Sequence, residues 1–369
     1  MIKYIGSKRA LLPWITRTIQ RIVESSAGLK EKKRKGSLTI LDPFSGTARV
    51  GHALKQEGYF VVAGDYLSFA YTLAKALVEA DARDYPPERI LPLLSRLNAL
   101  QGKPGWFTQY YAIQSRFLQP HNAAKIEAIR VAIEEIAEGD ETLRAVLLTS
   151  LLLAADKVDS TTGLQMAYLK SWAPRSYNSL YLEYPPLVPG AGRAVWGDAL
   201  SWAMEVEADI AYLDPPYNQH SYAGNYHVWE TLVLFDQPEI YGVACKRVDV
   251  RHKKSPFNSK IEAPQALSKL IQGLRAEYIV LSFNDEGFFS TAELRMLCES
   301  RGPTIILKHP YRRYVGAQIG IFNPRGERVG QVSHLYNHEY LFVVCSSKSS
   351  YHALRGSLRQ EMYGCLVVE

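Results

Sequence analysis

The stretch SLTILDPFSGTARVGHAL, residues 37–54, decides the fold. A short apolar run at 38–41 meets an acid, a proline and a glycine-bearing turn, after which apolar residues recur at helical spacing. This is a strand-turn-helix unit. The pattern repeats at YFVVAGDY (59–66), a β-branched run ending in an acid and followed by the helix-favouring SFAYTLAKALVEADA. Alternation of strand and helix predicts a parallel sheet of the α/β class. Further strands are expected at RAVWGD (193–198), ADIAYLD (208–214), EYIVLSF (277–283), TIILKH (304–309) and EYLFVVC (339–345), making seven in all.

The spacing of these runs is uneven. A βα unit needs about thirty residues, yet roughly 110 lie between the second helix and the third strand. The expected organisation is therefore a discontinuous sheet domain, 1–95 and 193–369, interrupted by an insertion at 96–192. Apolar residues at three and four spacing from Trp106 to Lys157 make that insertion mostly helical. Its last part, TTGLQMAYLKSWAPRSYNSLYLEYPP, is rich in Tyr, Trp, Ser and basic residues, a composition that suits a recognition surface. A helical cap on the sheet edge is the alternative.

Bulk composition narrows the function classes. The 369 residues are 47% hydrophobic, enough for a sizeable core, and 43 Lys and Arg against 37 Asp and Glu give net +6. That mild excess of positive charge is compatible with a polyanionic partner. Cys245, Cys298, Cys345 and Cys365 are too far apart for a zinc knuckle or a redox pair. They read as reduced thiols. The opening MIKYIGSKRALLPWI lacks the apolar core of a secretory signal, and the most apolar run, AVLLTSLLLAA at 145–155, is too short to span a bilayer. The expectation is a cytoplasmic protein with no membrane contact.

In an open parallel sheet, ligands bind at the carboxyl ends of the strands. Asp42, Asp65 and Asp198 end the first three strands, and Gly46 with the small Ala48 lets backbone approach a ligand at a helix N-terminus. Each acid alone is an ordinary cap or turn residue; three in register describe a nucleoside pocket. Asp214-Pro215-Pro216-Tyr217 ends the fourth strand beside them. The prolines fix the chain's exit path, so a carboxylate and an aromatic ring become a rigid pair. A carboxylate and a nearby backbone carbonyl can both accept hydrogen bonds from one amino group. Gripping both N–H bonds favours a tetrahedral, nucleophilic nitrogen, while the ring offers a stacking face.

KYIGSKRAL (3–11), DPFSGTARVG (42–51), GD (197–198), DPPY (214–217) and VLSFNDEGF (280–288) together resemble the ordered signatures of Dam-type adenine-specific DNA methyltransferases. The resemblance covers the sheet-forming halves and leaves the insertion unmatched. It implies a seven-stranded Rossmann-like fold that moves the methyl group of S-adenosylmethionine to the N6 amine of adenine in double-stranded DNA, without a metal. By position, Tyr4, Gly6 and Lys8 would seat the methionine end of the cofactor. Asp42, Phe44 and Gly46 would line its pocket, Asp65 would bind the ribose hydroxyls and Asp198 the adenine. Asp214, Pro215, Pro216 and Tyr217 would hold the target base. The family often has glycine where Ala48 stands.

A target amine inside a duplex must be flipped out, and the backbone contacts that offset the cost need positive charge. CKRVDVRHKKSPFNSK (245–260) has six basic residues against one acid. Lys246, Arg247, Arg251, Lys253 and Lys254 are the candidates there, joined by Arg312 and Arg313 in HPYRRYVG (309–316). Solvated loops are the plain alternative.

Rival acceptors on the same fold are a cytosine amine, an RNA base and a protein glutamine. Enzymes resembling this one usually carry Ser at the Asp214 position for cytosine and Asn for glutamine, so Asp favours adenine. A non-catalytic nucleotide-binding module would explain the sheet and the charge but leave DPPY without a purpose. A nicotinamide dehydrogenase is disfavoured because GTARVG lacks the dinucleotide spacing. The recognition sequence, the oligomeric state and the existence of a cognate restriction endonuclease are not legible in one sequence.

Overall fold

The computed structural model describes residues 2–166, 168–312, 321–322, 328–330, 336–359 and 366–368. One sheet of eight strands runs through it. In chain order these are β1 (Thr39–Asp42), β2 (Phe60–Asp65), β3 (Gly192–Trp196), β4 (Glu207–Leu213), β5 (Arg275–Asn284), β6 (Thr304–Arg312), β7 (Tyr336–Cys345) and β8 (Leu366–Val368). Across the sheet they lie in the order β8-β6-β7-β5-β4-β1-β2-β3. All seven expected strands are present. The eighth was not anticipated, because three residues are too few to show a pattern.

β1 pairs in parallel with both β2 and β4, β2 with β3, and β4 with β5. β7 inserts between β5 and β6, antiparallel to both, and β8 runs antiparallel to β6. From β1 the chain proceeds outward through β2 and β3 on one side, and from β4 it moves to β5 and β6 on the other before β7 returns between them. The strand order reverses between β1 and β4, and a crevice opens at their carboxyl ends.

Apart from β3 at the sheet edge, the parallel strands are largely buried on both faces, which is why they read as continuous apolar runs rather than alternating ones. Ile40 joins one cluster with Ile15, Ile19 and Ile22 of α1 (Leu12–Ser25), whereas Leu41 joins the opposite cluster with Leu267 and Leu270 of the helix Ala263–Gly273. Within α1 the three isoleucines recur at four and three spacing, so one stripe of the helix covers the sheet.

The inserted segment contributes helices Pro120–Ile136 and Glu141–Val158, the second started by Asp140, whose side chain accepts from the Leu143 amide at 2.8 Å. The apolar run at 145–155 lies inside this second helix, with Val146, Leu147, Leu148, Leu151 and Leu152 fully buried. They share the cluster that covers the α1 face of the sheet. The helix Pro87–Asn98 runs across the boundary expected at residue 95, since Leu94 and Leu97 both bury in that same cluster. Among the described residues, no helix is long and apolar enough to cross a membrane. Cys245, Cys298 and Cys345 are free and buried; Cys365 lies outside the described residues.

Candidate active site

The glycine turn after β1 is held from several sides. The Gly46 amide donates to Asp65 Oδ2 at 2.9 Å, the Leu67 amide to Asp65 Oδ1 at 3.0 Å, and the Ser45 amide to the Gly64 carbonyl at 2.9 Å. Gly46 has φ +50, and a Cβ there would meet Tyr4 Cε1 at 3.1 Å, so the Tyr4 ring packs directly on bare backbone. Ala48, also left-handed at φ 57, forms the N-cap of α2 (Arg49–Gln56).

The N-terminal segment is laid across this turn by a stack of tyrosines. Tyr4 stacks on Tyr222 at 5.2 Å and on Tyr226 at 4.6 Å between centroids. The Ile5 amide donates to the Tyr226 hydroxyl at 2.5 Å. Gly6 turns with φ +71, and a Cβ on it would lie 3.2 Å from the Tyr222 hydroxyl. The chain thereby delivers Lys8 to the end of β4.

There Lys8 Nζ sits 2.9 Å from Asp214 Oδ1 and 2.8 Å from Glu339 Oε1. Ser282 Oγ donates to the same Glu339 oxygen at 2.6 Å. The Lys8 ammonium also lies over the Tyr217 ring, 5.6 Å from its centroid. Tyr217 is pinned from β5 and the loop after it: Asn284 Nδ2 donates to its hydroxyl at 2.9 Å, the Phe288 amide to its carbonyl at 2.9 Å, and the Phe283 ring lies 5.1 Å away.

These groups sit in a low-dielectric environment that raises acids. Burial pushes the Asp214 carboxyl up to about 6, against the pull of Lys8. Burial, then the charges of Asp214 and Asp65, push Asp42 up to about 8. Burial takes Asp65 to about 6, opposed by the amides of Leu67 and Gly46. Lys8 loses hydration too, but Asp214 and Glu339 overcome that loss and hold it well above the ordinary lysine range. Neither Asp42 oxygen has a well-formed hydrogen bond, although the amides of Phe44 and Gly51 bear weakly on it.

One cleft joins the expected residues. Tyr4, Gly6, Lys8, Asp42, Phe44, Gly46, Asp65, Asp198, Asp214 and Pro216 all line it. Asp198 is exposed at its rim, where its side chain accepts from the Leu200 amide at 2.9 Å. Pro215 and Tyr217 do not line it, since Tyr217 is packed on Phe283 beneath Lys8. Several contributors were not singled out by sequence: Tyr222, Phe257, Asn258, Ser282, Asn284 and Glu339. Tyr222 and Tyr226 carried a usable signal, two aromatics at four spacing directly after DPPY. Phe257 meets Phe44 edge-on at 5.1 Å, and Asn258 Nδ2 donates to the carbonyls of Asn218 (2.8 Å) and His220 (3.1 Å), closing the loop after Tyr217. Among the described residues, no group of three or more His, Cys, Asp or Glu side chains is placed to hold a metal ion.

The basic loop divides in two. Arg247 is only 3% exposed and spends its guanidinium internally, on Asp236 at 2.7 Å and Asp249 at 2.9 Å. This corrects its expected place among the phosphate-binding residues: a short ribbon, Ile240–Tyr241 with Lys246–Arg247, turns it inward. Lys253 is shared between Asp249 (3.1 Å) and Glu230 (3.4 Å) and lines the cleft. Lys246 is half-buried, while Arg251 and Lys254 are exposed, Lys254 at the cleft and Arg251 stacked 3.9 Å over the Tyr241 ring. The Arg312 side chain and Arg313 lie outside the described residues.

Residues 4–296 match the model of the D12 class N6 adenine-specific DNA methyltransferases. The chain is 32% identical over 335 residues to the modification methylase StsI of Streptococcus sanguinis, covering 86% of this chain and 50% of that protein. It is 29% identical over 362 residues to the type II methyltransferase M.FokI of Planomicrobium okeanokoites, covering 93% and 52%. The chain thus spans about half the length of these two relatives. With the type II methyltransferase M.NlaIII of Neisseria lactamica it shares 31% identity over 323 residues, covering 85% of this chain and 92% of that one. No solved structure matches it. The chain belongs to the D12 class of N6 adenine-specific DNA methyltransferases.

Proposed function

We propose that the protein transfers the methyl group of S-adenosylmethionine to the N6 amine of a flipped-out adenine in double-stranded DNA. The observation that carries this is the opening of Asp214, at the end of β4, onto the same cleft as the Gly46 turn. When bound, the cofactor supplies a methyl group already activated on a sulfonium, so alignment and hydrogen bonding carry the catalysis. The residues fit such a cation: Asp42 is a buried carboxylate without a strong partner, and Asp65 and Asp214 stand near it.

In this reading Tyr4, Gly6 and Lys8 seat the methionine end, and Asp42, Phe44 and Gly46 line the pocket. Each Asp65 oxygen keeps a lone pair beyond its amide bond for a ribose hydroxyl, and Asp198 meets the adenine edge. Asp214 and a neighbouring carbonyl accept the two N–H bonds of the target amine, and the face of Tyr217, once uncovered, receives the base. Lys246, Arg251, Lys253 and Lys254 hold phosphates, and the insertion at 96–192 reads the DNA sequence. No metal is required. The protein acts in the cytoplasm, in a restriction-modification role that the name of its modification-methylase relative supports.

Incubating the protein and its Asp214→Ala variant with S-adenosylmethionine and unmethylated genomic DNA, then digesting to nucleosides for mass spectrometry, tests this. N6-methyladenine is expected with the intact protein alone. N4-methylcytosine, or methylation of RNA and not DNA, would overturn the acceptor.

A further inference from the structure

Lys8 stands where the substrate of the proposed reaction has to go. Its ammonium donates to Asp214 Oδ1 at 2.9 Å and covers the Tyr217 ring at 5.6 Å. An adenine amine gripped by Asp214 with its ring on Tyr217 needs the same two contacts. Both cannot be made at once, because a side chain 5% exposed has no room beside it for a base. Resting on the methyl-transfer reading above, we propose that Lys8 is an internal stand-in for the target amine, and that Glu339 is the positioning residue onto which Lys8 withdraws when the base enters.

Three observations support a second berth for Lys8. Glu339 is 1% exposed and lies 2.8 Å from the same ammonium, so Lys8 already has a full counter-charge other than Asp214. Ser282, itself buried, donates to Glu339 at 2.6 Å and holds that carboxylate in place. The two carboxylates come from strands that meet Lys8 from different directions, Asp214 at the end of β4 and Glu339 on β7, with β5 between them. Releasing Asp214 therefore leaves the ammonium paired. Without Glu339 the release would strand a buried cation with no counter-charge.

The closed state also protects the site. With no base bound, the half-buried Asp214 would otherwise lack a charged partner and the Tyr217 face its cover. Lys8 satisfies both, and a neutral adenine amine displaces it only because Glu339 keeps the displaced charge bound. Glu339 touches neither substrate nor cofactor in this scheme; it acts through Lys8.

A double-mutant cycle on the intact protein separates this role from a purely structural one. The readout is the initial rate of N6-methyladenine formation on unmethylated genomic DNA, with urea denaturation run on each variant. Glu339→Gln leaves Lys8 a single charged partner, Asp214, so the target amine competes less well. The maximal rate is expected to fall about 10- to 100-fold, with little change in the DNA concentration giving half-maximal rate. In the Lys8→Met background, assayed at saturating S-adenosylmethionine because Lys8 also faces the cofactor cleft, the same Glu339→Gln change should cost nothing further. Ser282→Ala should act in the same direction but less. An equal fall in both backgrounds, or an unchanged rate in Glu339→Gln, would overturn the proposal. The wild-type rate on DNA tests the underlying reading, while the ratio between backgrounds tests Lys8 and Glu339 alone.

Discussion

Asn284 Nδ2 donates to the Tyr217 hydroxyl at 2.9 Å, tying the aromatic member of the DPPY turn to the end of β5. The prolines fix the backbone path of this turn, but the direction of the ring is set from another strand. If the ring is a stacking platform, its plane matters more than its hydroxyl. Tyr217→Phe and Asn284→Ala each remove this hydrogen bond and should each lose no more than about tenfold, a typical cost of one hydrogen bond. Tyr217→Ala should lose roughly a further 5- to 150-fold, because base stacking is worth about 1–3 kcal/mol. Rates of N6-methyladenine formation rank the three; Tyr217→Phe falling as far as Tyr217→Ala would reject the platform.

Asp42 makes the unliganded protein sensitive to alkaline pH. Its carboxyl is raised from 3.8 to about 8 by burial, with Asp214 and Asp65 adding to it. The folded state therefore holds this proton more tightly than the unfolded chain does. The resulting stability is complete below the unfolded value and is lost as pH rises through about 8. Asp42→Asn should be more stable than wild type at pH 8.5 by at least about 1 kcal/mol, the worth of less than one pKa unit, and no more stable near pH 4. Binding of a cationic cofactor should reverse this, so the midpoint shift given by S-adenosylmethionine grows from pH 6 to pH 8.5 in wild type and not in the variant. Urea denaturation at several pH values checks both.

Most of the fold was legible because the central parallel strands, buried on both faces, leave unbroken apolar runs that end in an acid or an abrupt turn. The glycine turn and the DPPY tetrapeptide were legible because proline and left-handed glycine restrict the backbone locally. Glu339 was not. In EYLFVVC it reads as a solvent-facing residue at the start of a strand, and its burial depends on β7 sliding between β5 and β6, which no local pattern records. Arg247 failed for the same reason in reverse. Counted as charge in a basic loop it belongs with Lys254, but Asp236 and Asp249 converge on it only once the ribbon forms. Tyr217 was placed correctly in the turn, while the cover that Lys8 provides could not be seen without the N-terminal segment folded across it.

Ala48 stands in a left-handed conformation at φ 57 while fully buried. Glycine there would relieve about 1–2 kcal/mol of backbone strain. It would also lose a buried methyl worth about 0.8 kcal/mol and add about 0.4–1 kcal/mol of unfolded-chain entropy. The effects nearly cancel. Ala48→Gly should thus change stability by less than about 1 kcal/mol, whereas Ala48→Val places a β-branched residue in a region it avoids and should destabilise clearly. Chemical denaturation of both variants checks this, and a neutral Ala48→Val would mean that the turn relaxes out of the left-handed region.

Two arginines of the basic loop should behave in opposite ways. Arg247 is buried between Asp236 and Asp249, and these partners are about 40% exposed, so water rehydrates them when the arginine is removed. Arg247→Ala should therefore cost about 2–3 kcal/mol of stability through lost charged hydrogen bonds, less than breaking a fully buried pair, and leave the salt dependence of DNA binding unchanged. Arg251 and Lys254 are exposed, and neither is committed to an acid among the described residues. The double change Arg251→Ala, Lys254→Ala should leave the unfolding midpoint nearly unmoved. It should weaken binding to all DNA sequences alike and flatten the slope of log affinity against log salt by up to about 1.8, at roughly 0.9 per phosphate contact. A slope unchanged in the double variant would remove this loop from the DNA path, and a slope flattened in Arg247→Ala would show that the buried guanidinium swings out to reach a phosphate.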